Sequence, residues 1–272
     1  MIPQRYITQW RSSAPWANDA LVEQDLVISL CLVKLFSNSL LRDLLAFRGG
    51  TALQKLYLNS ALRFSEDIDL VRKSTGPARE LISEVRDTLD DLLGKPSTKQ
   101  TAATIKLLYR FETEAMPREN KRLKIEINVR ETFSVFGFRE LNYMVENDSE
   151  HAGAVAIPCF CLEELLGTKM RALYQRKKGR DLFDLLTMLD EHRDMDPQKI
   201  VHCFEQYCQF QGISVSRAQF EQNLGEKMQD AEFMADITTV VKPGLTYDHA
   251  AAVEVVQDRL VSLLRGKPFK KA

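Results

Sequence analysis

Two aspartates that lie two residues apart carry the clearest chemical signal in the sequence. Asp67 and Asp69 belong to residues 67–71, where polar and apolar side chains alternate as in a half-buried β-strand. On a strand, residues two apart point to the same face, so the two carboxylates would lie side by side. Hard oxygen ligands of this kind bind one Mg²⁺ ion or bridge two.

The spacing alone has little specificity. Asp194 and Asp196 repeat it in a polar stretch before a proline, where a turn or a helix cap is the simpler interpretation. Apolar neighbours such as Ile68 distinguish the first pair, because unpaired carboxylates among apolar residues would be costly. A metal ion, or a basic partner such as Arg63, would relieve that cost.

A double glycine precedes the aspartates in the chain. Gly49, Gly50 and Thr51 lie between a predicted strand at 44–48 and a predicted helix at 51–59. Glycines let a backbone approach a ligand, and the first N–H groups of a helix favour anions such as phosphate. A structural turn is the alternative interpretation, because the segment lacks the lysine of a P-loop.

A third carboxylate belongs to a strand of cleanly alternating residues at 123–130. If this strand neighbours that of Asp67 and Asp69, then Glu126 joins them on one polar face. The alternative is a solvated outer face that Glu126 shares with Lys124 and Asn128.

The most basic stretch of the chain runs from Lys169 to Arg180. On a helix, Lys169, Leu173 and Arg176 fall along one side, and the run from Arg171 to Arg180 could hold either phosphates or an RNA acceptor. An exposed basic face without a function is the alternative. In that alternative, Asp181, which follows a glycine and an arginine, could cap the next helix.

The elements that would position these residues change in character near residue 158. Before it, helices are predicted at 18–44, 51–59 and 77–93, with strands at 44–48, 67–71, 104–111, 123–130 and 140–145. After it, helices are predicted at 161–176, 181–191, 197–211, 216–236 and 247–264. The sequence therefore predicts an α+β protein with an α/β domain at 1–157 and a helical domain at 158–272.

Composition limits the class of protein. The 272 residues are 44% hydrophobic and 28% charged, as in an average soluble globular protein. The net charge of −1 excludes a globally basic nucleic-acid-binding coat but not a local basic patch. Five scattered cysteines favour buried thiols over a disulfide framework or a zinc site. The N-terminus lacks the apolar core of a signal peptide, so we expect a cytoplasmic protein that does not bind membranes.

Four segments together resemble the AbiEii/AbiGii toxin family, the nucleotidyltransferase-like toxins of bacterial abortive-infection and type IV toxin–antitoxin systems. They are residues 47–53, 63–70, 123–128 and 164–185, and they occur in the family's order. The resemblance covers most of residues 40–190. It implies a DNA polymerase β-like nucleotidyltransferase core, a mixed sheet with helices, followed by an all-helical C-terminal domain.

The resemblance also implies roles for single residues. Gly49, Gly50 and Thr51 would approach the nucleotide phosphates, while Asp67 and Asp69 would bind Mg²⁺. Thr51 stands where wider nucleotidyltransferases often place serine. Glu126 is longer than the aspartate common in the superfamily.

Two further catalytic residues follow from the resemblance. Lys169 is one, and an acidic residue of the segment 180–184 is the other, with Asp184 favoured over Asp181. Arg63 and Arg180 are expected among the groups that bind the nucleotide.

We therefore expect an acceptor hydroxyl to attack the α-phosphorus of a nucleoside triphosphate and to expel pyrophosphate. Two Mg²⁺ ions ~3.5–4 Å apart would stabilise the attacking and leaving oxygens. Asp67 and Asp69 would hold both ions, and Glu126 would bind the ion near the nucleophile and orient or deprotonate the hydroxyl. Lys169 would neutralise charge that builds toward the leaving group.

The expected acceptor is RNA such as a tRNA, and its modification would arrest growth in a type IV toxin–antitoxin or antiviral defence system. The cognate antitoxin would be a separate chain. A protein side chain or a small molecule is the alternative acceptor. A metal-dependent nuclease, a non-catalytic nucleotide- or RNA-binding module and a structural interaction protein are the alternative functions.

Overall fold

The computed structural model describes residues 2–146 and 152–270. The chain divides into two compact units, Met1–Phe160 and Cys161–Ala272. The elements of the first unit are α1 (Gln4–Trp10), α2 (Asp19–Ser37), α3 (Ser39–Leu44), β1 (Leu45–Arg48), α4 (Gly49–Leu56), β2 (Asp67–Arg72), α5 (Ala78–Leu93), β3 (Ser97–Gln100), β4 (Thr104–Glu112), β5 (Asn120–Asn128), β6 (Phe138–Val145) and β7 (Gly153–Phe160).

The strands form one seven-stranded mixed sheet of order β3-β4-β5-β2-β1-β7-β6. Strand β2 pairs parallel with β5 and antiparallel with β1, and β1 pairs parallel with β7. The remaining neighbours are antiparallel. The strand that carries the two aspartates therefore lies in the middle of the sheet, between β5 and the strand that leads into α4.

Helices α2 and α5 cover one face of the sheet. Along β4, Leu107 and Tyr109 point to this face, and the Tyr109 hydroxyl donates to Asp90 of α5 at 3.1 Å. Fifteen of the nineteen residues of α2 are buried, so this helix is the centre of the core. The residues of β4 that alternate with the buried ones point to the opposite face of the sheet, where the charged side chains lie.

The second unit, as far as the structure describes it, is built from helices. They are α6 (Leu162–Gln175), α7 (Gly179–Glu191), α8 (Pro197–Phe210), α9 (Arg217–Lys227), α10 (Ala231–Asp236) and α11 (His249–Arg259), with a 3₁₀ turn at Val261–Leu263. Helices α6 and α8 pack closely because Gly167 lies against Ile200, where a Cβ atom would be 2.8 Å from the carbonyl oxygen.

All five cysteines are buried. No helix within residues 2–146 and 152–270 has the length and apolar character needed to cross a membrane.

Several sequence-based boundaries were wrong. The predicted helix at 18–44 is two helices, because the Asn38 side chain accepts a hydrogen bond from Leu41 and starts α3. The predicted helix at 216–236 also breaks, because Asp230 caps α10. Strands β3 and β7 were missed, since β3 is short and polar and β7 contains Pro158 and lacks a clean alternation.

Candidate active site

The three candidate carboxylates lie on the charged face of the sheet. In the parallel register of β2 and β5, Asp69 lies opposite Glu126 and Asp67 lies opposite Lys124. All four side chains are half-buried, whereas the intervening Ile68 is buried against the core. Register and alternation therefore bring Asp67, Asp69 and Glu126 together.

Two lysines share this face with the carboxylates. The Lys124 Nζ atom lies 2.8 Å from Asp67 Oδ2 and 3.4 Å from Glu126 Oε2, and the Lys106 Nζ atom lies 3.0 Å from Glu126 Oε2. Burial by itself lowers the pKa of Lys124, but the hydrogen bond to Asp67 and the surrounding carboxylates outweigh it and raise the pKa. The lysine is thus held in its charged form between two carboxylates.

Asp69 is the carboxylate whose charge is least compensated. Among the residues that the structure describes, it forms no ion pair, unlike Asp67 and Glu126. Burial and the neighbouring charge of Asp67 raise the pKa of Asp69, and Lys124 and Arg48 oppose that rise. The site would therefore gain stability from an added cation at Asp69.

A glycine with an unusual backbone conformation lies directly against Asp69. Gly49 has φ of +81°, and a Cβ atom at this position would lie 2.9 Å from the Asp69 Cβ atom. Gly49 and Gly50 are the first two residues of α4, whose N-cap, Arg48, makes no side-chain capping hydrogen bond. The first N–H groups of α4 therefore face the site without a capping side chain, as an anion-binding helix terminus requires.

Thr51 and Arg63 hold the loop that leads into β2. The Thr51 side chain is buried, and its hydroxyl bonds to the Ser65 hydroxyl at 2.7 Å and donates to the Asp67 carbonyl oxygen. Arg63 is also buried and donates to the Phe64 carbonyl oxygen at 3.0 Å. Both fix the position of Asp67, while their expected contact with nucleotide phosphates stays a prediction.

Lys169 and the acidic residues of α7 form a cluster of their own in the second unit. The Lys169 Nζ atom lies 2.9 Å from Asp184 Oδ2 and 3.1 Å from Asp181 Oδ1. Both aspartates are fully buried. Burial tends to raise the pKa of Asp181, but Lys169 and Arg176 outweigh it and lower the pKa to about 2.

This cluster excludes two features of the alternative interpretation of the basic segment. Lys169 does not lie on an exposed basic face, because it is almost completely buried. Asp181 does not cap α7, because Lys178 is the N-cap and Asp181 lies inside the first turn with its carboxylate bonded to Arg176 at 2.7 Å.

The basic residues after Lys169 are compensated within the second unit. Arg171 is buried with its guanidinium 5.1 Å from the centre of the Tyr207 ring. The ion pairs are Arg176 with Asp181, Lys177 with Asp230, Lys178 with Glu232 and Arg180 with Asp236. Much of the positive charge that the sequence places here is therefore balanced by acidic side chains.

A divalent cation fits the donor set but not the present side-chain positions. In the described part of the chain, no three His, Cys, Asp or Glu side chains are arranged to hold a metal ion. Lys124 lies between Asp67 and Glu126, at the place where such an ion would bring them together. The carboxylate oxygens of Asp67 and Asp69 suit Mg²⁺, and Lys124 would compete with such an ion for Asp67.

Sequence reasoning missed Lys106 and Glu131 at this site, and it named Arg48 in the glycine segment without giving it a role. Lys106 could have been found, because it lies on the same face of a predicted strand as its polar neighbours. Arg48 lies opposite Asp69, 3.4 Å from Glu131 and 5.7 Å from the centre of the Phe160 ring. No sequence signal marks Glu131, which is brought to Arg48 by the turn after β5.

Comparisons with known proteins bear on the family and the fold of this chain. The family model "Nucleotidyl transferase AbiEii toxin, Type IV TA system" matches residues 30–255. MenT4, a nucleotidyltransferase toxin of Mycobacterium tuberculosis H37Rv, is similar in structure with a TM-score of 0.63 at 17% identity, over 97% of this chain and 91% of that chain. JHP933 from Helicobacter pylori is similar in structure with a TM-score of 0.57 at 17% identity, over 90% of this chain and 91% of that chain. Identities this low show a shared fold. No curated protein matches the chain by sequence.

Proposed function

Because the chain belongs to the AbiEii family of nucleotidyl transferase toxins of type IV toxin–antitoxin systems, we propose that its carboxylate face transfers a nucleotide to RNA. Family membership makes the protein a nucleotidyltransferase toxin, with a nucleoside triphosphate as substrate and a separate antitoxin as counterpart. The proposal adds the RNA acceptor, such as a tRNA, together with the Mg²⁺ ions and the roles of single residues. It also assigns residues 158–272 to the helical C-terminal domain of the family.

The observation that carries this proposal is the position of Asp69. Its carboxylate, which forms no ion pair with any described residue, lies beside Asp67 and opposite Glu126, and Gly49 at the uncapped start of α4 lies against it. A negatively charged triphosphate and a divalent cation are the two ligands that such neighbours favour, the first at the helix terminus and the second at the carboxylates.

In the proposed reaction, an acceptor hydroxyl forms a bond to the α-phosphorus while the bond to the pyrophosphate oxygen breaks. Mg²⁺, when bound, stabilises the charge on the attacking and leaving oxygens. Asp67 and Asp69 hold the metal, and Glu126 accepts the proton of the attacking hydroxyl. The N–H groups of Gly49 and Gly50 bind triphosphate oxygens, and Thr51 and Arg63 keep the Asp67 loop in place.

Lys169 and Asp184 complete the proposal. We assign to Lys169 the neutralisation of charge on the leaving pyrophosphate. Asp184, whose Oδ2 atom lies 2.9 Å from the Lys169 Nζ atom, orients the lysine. The buried Asp181 also pairs with Lys169 and holds its position. The Arg180 Nε atom lies 3.1 Å from Asp236 Oδ2. Arg180 would therefore contact phosphate only through the part of its guanidinium group that does not bind Asp236.

The test uses purified protein, total cellular RNA and each α-labelled nucleoside triphosphate in turn, with Mg²⁺ or with EDTA. We expect labelled RNA from the wild type with Mg²⁺ and none from Asp67→Ala. Asp194→Ala is the matched control, because it alters the second Asp-x-Asp pair of the chain. Equal labelling by Asp67→Ala would remove that residue from catalysis, and shortened unlabelled RNA would indicate a nuclease.

Growth provides a second readout in cells. Expression of the wild type should arrest growth, and Asp69→Ala should abolish the arrest while Asp194→Ala retains it. Equal growth of strains that express the wild type and Asp69→Ala at the same level would contradict a role of this site in toxicity.

A further inference from the structure

A second group of cations lies on the same face of the sheet as the carboxylates. Lys99 of β3 lies opposite Lys106 of β4, and Lys106 lies opposite Glu126 of β5. Four residues farther along β4, Arg110 lies opposite Arg122. Opposed residues of paired strands share a face, so these four cations form one surface, called the basic face below (Lys99, Lys106, Arg110 and Arg122).

The basic face places like charges directly opposite each other, which destabilises a sheet. Lys99, Arg110 and Arg122 are exposed, and none of the three has an ion pair in the part of the chain that the structure describes. Acidic partners are nevertheless available in the same hairpin, where Glu112 binds Arg118 and Glu119 binds Lys121. Lys106 pairs with Glu126, but local folding leaves Lys99, Arg110 and Arg122 without an acidic partner among the described residues.

The basic face begins at the candidate active site. Along β5, Glu126, Lys124 and Arg122 are spaced two residues apart and point to one face. Arg122 is four residues from Glu126, which corresponds to about 13 Å along a strand. A chain that presents its terminal hydroxyl at Glu126 would therefore pass its preceding phosphates over Lys124 toward Arg122 and Arg110.

We propose that the basic face binds the backbone phosphates of a single-stranded RNA segment that leads to the reactive hydroxyl. The inference rests on the proposed function, because it assigns the surface that holds its acceptor. Two arginines suit this ligand, since each guanidinium presents a planar fork of donors to phosphate oxygens. The basic stretch at 169–180 is the weaker candidate, because its cations are paired with acidic side chains.

The test measures RNA binding without catalysis. A fluorescein-labelled single-stranded RNA with a free 3′ hydroxyl is titrated with protein in EDTA and without nucleotide, at several salt concentrations. We expect Arg110→Gln/Arg122→Gln to bind about tenfold more weakly than the wild type, and its log affinity to fall less steeply with log salt, by about 1.4 in slope for two lost phosphate contacts.

The control removes the same charge elsewhere in the first unit. Arg79 of α5 and Lys95 after it are exposed, and α5 covers the opposite face of the sheet, so Arg79→Gln/Lys95→Gln should bind RNA as the wild type does. Equal RNA affinity of Arg110→Gln/Arg122→Gln and the wild type would overturn the proposal. Selective loss of binding to poly-glutamate with unchanged RNA affinity would also overturn it and indicate an acidic protein as the partner.

Thermal unfolding separates this function from a structural one. Removal of two opposed positive charges should leave the Tm of Arg110→Gln/Arg122→Gln equal to or above that of the wild type. A lower Tm would mean that the arginines stabilise the sheet and would contradict the proposal. Because the binding assay contains neither metal nor nucleoside triphosphate, a failure to detect nucleotide transfer would not affect its outcome.

Discussion

Gly49 and Asp69 are in such close contact that no side chain fits between them. A Cβ atom at position 49 would lie 2.9 Å from the Asp69 Cβ atom and would also meet its carboxylate. Gly49 has φ of +81°, which other L-residues rarely adopt. The glycine therefore serves two needs at once: it turns the chain from β1 into α4, and it keeps the first turn of that helix against the carboxylate.

Substitution of Gly49 by alanine should abolish nucleotide transfer. The new methyl group would displace Asp69 from its position beside Asp67. Gly94→Ala is the matched control, because Gly94 has φ of +74° and open space around it. Each variant should lose about 1–3 kcal/mol of stability from positive-φ backbone strain, which thermal unfolding measures, and only Gly49→Ala adds the clash with Asp69. Transfer activity retained in Gly49→Ala would contradict the close approach of α4 to the metal-binding carboxylates.

Replacement of Lys124 by methionine should raise the affinity of the apoprotein for divalent cations. The lysine ammonium now occupies the space between Asp67 and Glu126. Its loss leaves Asp67 without an ion-pair partner and Glu126 with Lys106 alone, so the free protein should unfold at a lower temperature and should be stabilised more strongly by Mg²⁺ than the wild type is. Calorimetric titration with Mg²⁺ and thermal unfolding with and without the metal measure both effects.

Lys121→Met is the control for that experiment. Lys121 is on the same strand but lies 2.8 Å from Glu119, outside the carboxylate group. Its substitution should leave the Mg²⁺ affinity unchanged. Equal Mg²⁺ affinities of Lys124→Met and the wild type would show that the lysine does not compete with the metal.

The sequence was most informative where strands alternate cleanly. The alternation around Ile68 and Ile125 predicted which face carries Asp67, Asp69 and Glu126, since a strand has only two faces. It could not predict that Lys124 would lie between the carboxylates, because that depends on the parallel register of two strands far apart in sequence. The family resemblance supplied the order of the four motifs and the type of core.

Charge runs were the least informative part of the sequence. The sequence from Lys169 to Arg180 predicts a basic surface. Its cations nevertheless pair with acidic residues such as Asp230 and Asp236, which lie some 50 residues later in the chain. Conversely, Arg110 and Arg122 look unremarkable in sequence and become neighbours only through the antiparallel pairing of β4 and β5. Compensation of charge is a tertiary property, which local pattern does not encode.

Removal of Lys169 should destabilise the protein as well as inactivate it. Lys169→Met leaves the buried carboxylates of Asp184 and Asp181 without their shared cation, and loss of one partner of a buried ion pair costs about 3–5 kcal/mol. Lys177→Met, which breaks an exposed pair with Asp230, should leave the stability almost unchanged. Urea unfolding measures both. An inactive Lys169→Met with the stability of the wild type would indicate a catalytic role without a structural one.

Acid stability should depend on Asp181. The pKa of this carboxyl is about 2 in the folded protein and 3.8 ordinarily, because Lys169 and Arg176 stabilise its charged form against burial. A carboxyl whose pKa is lowered on folding contributes stability that is fully present above the ordinary value and is lost as the pH falls toward the folded value. The contribution is about 2 kcal/mol. The free energy of unfolding, measured in urea from pH 5 to pH 2, should therefore fall by about 2 kcal/mol more in the wild type than in Asp181→Asn. Parallel pH profiles of the two proteins would contradict the ionised, doubly paired state of Asp181.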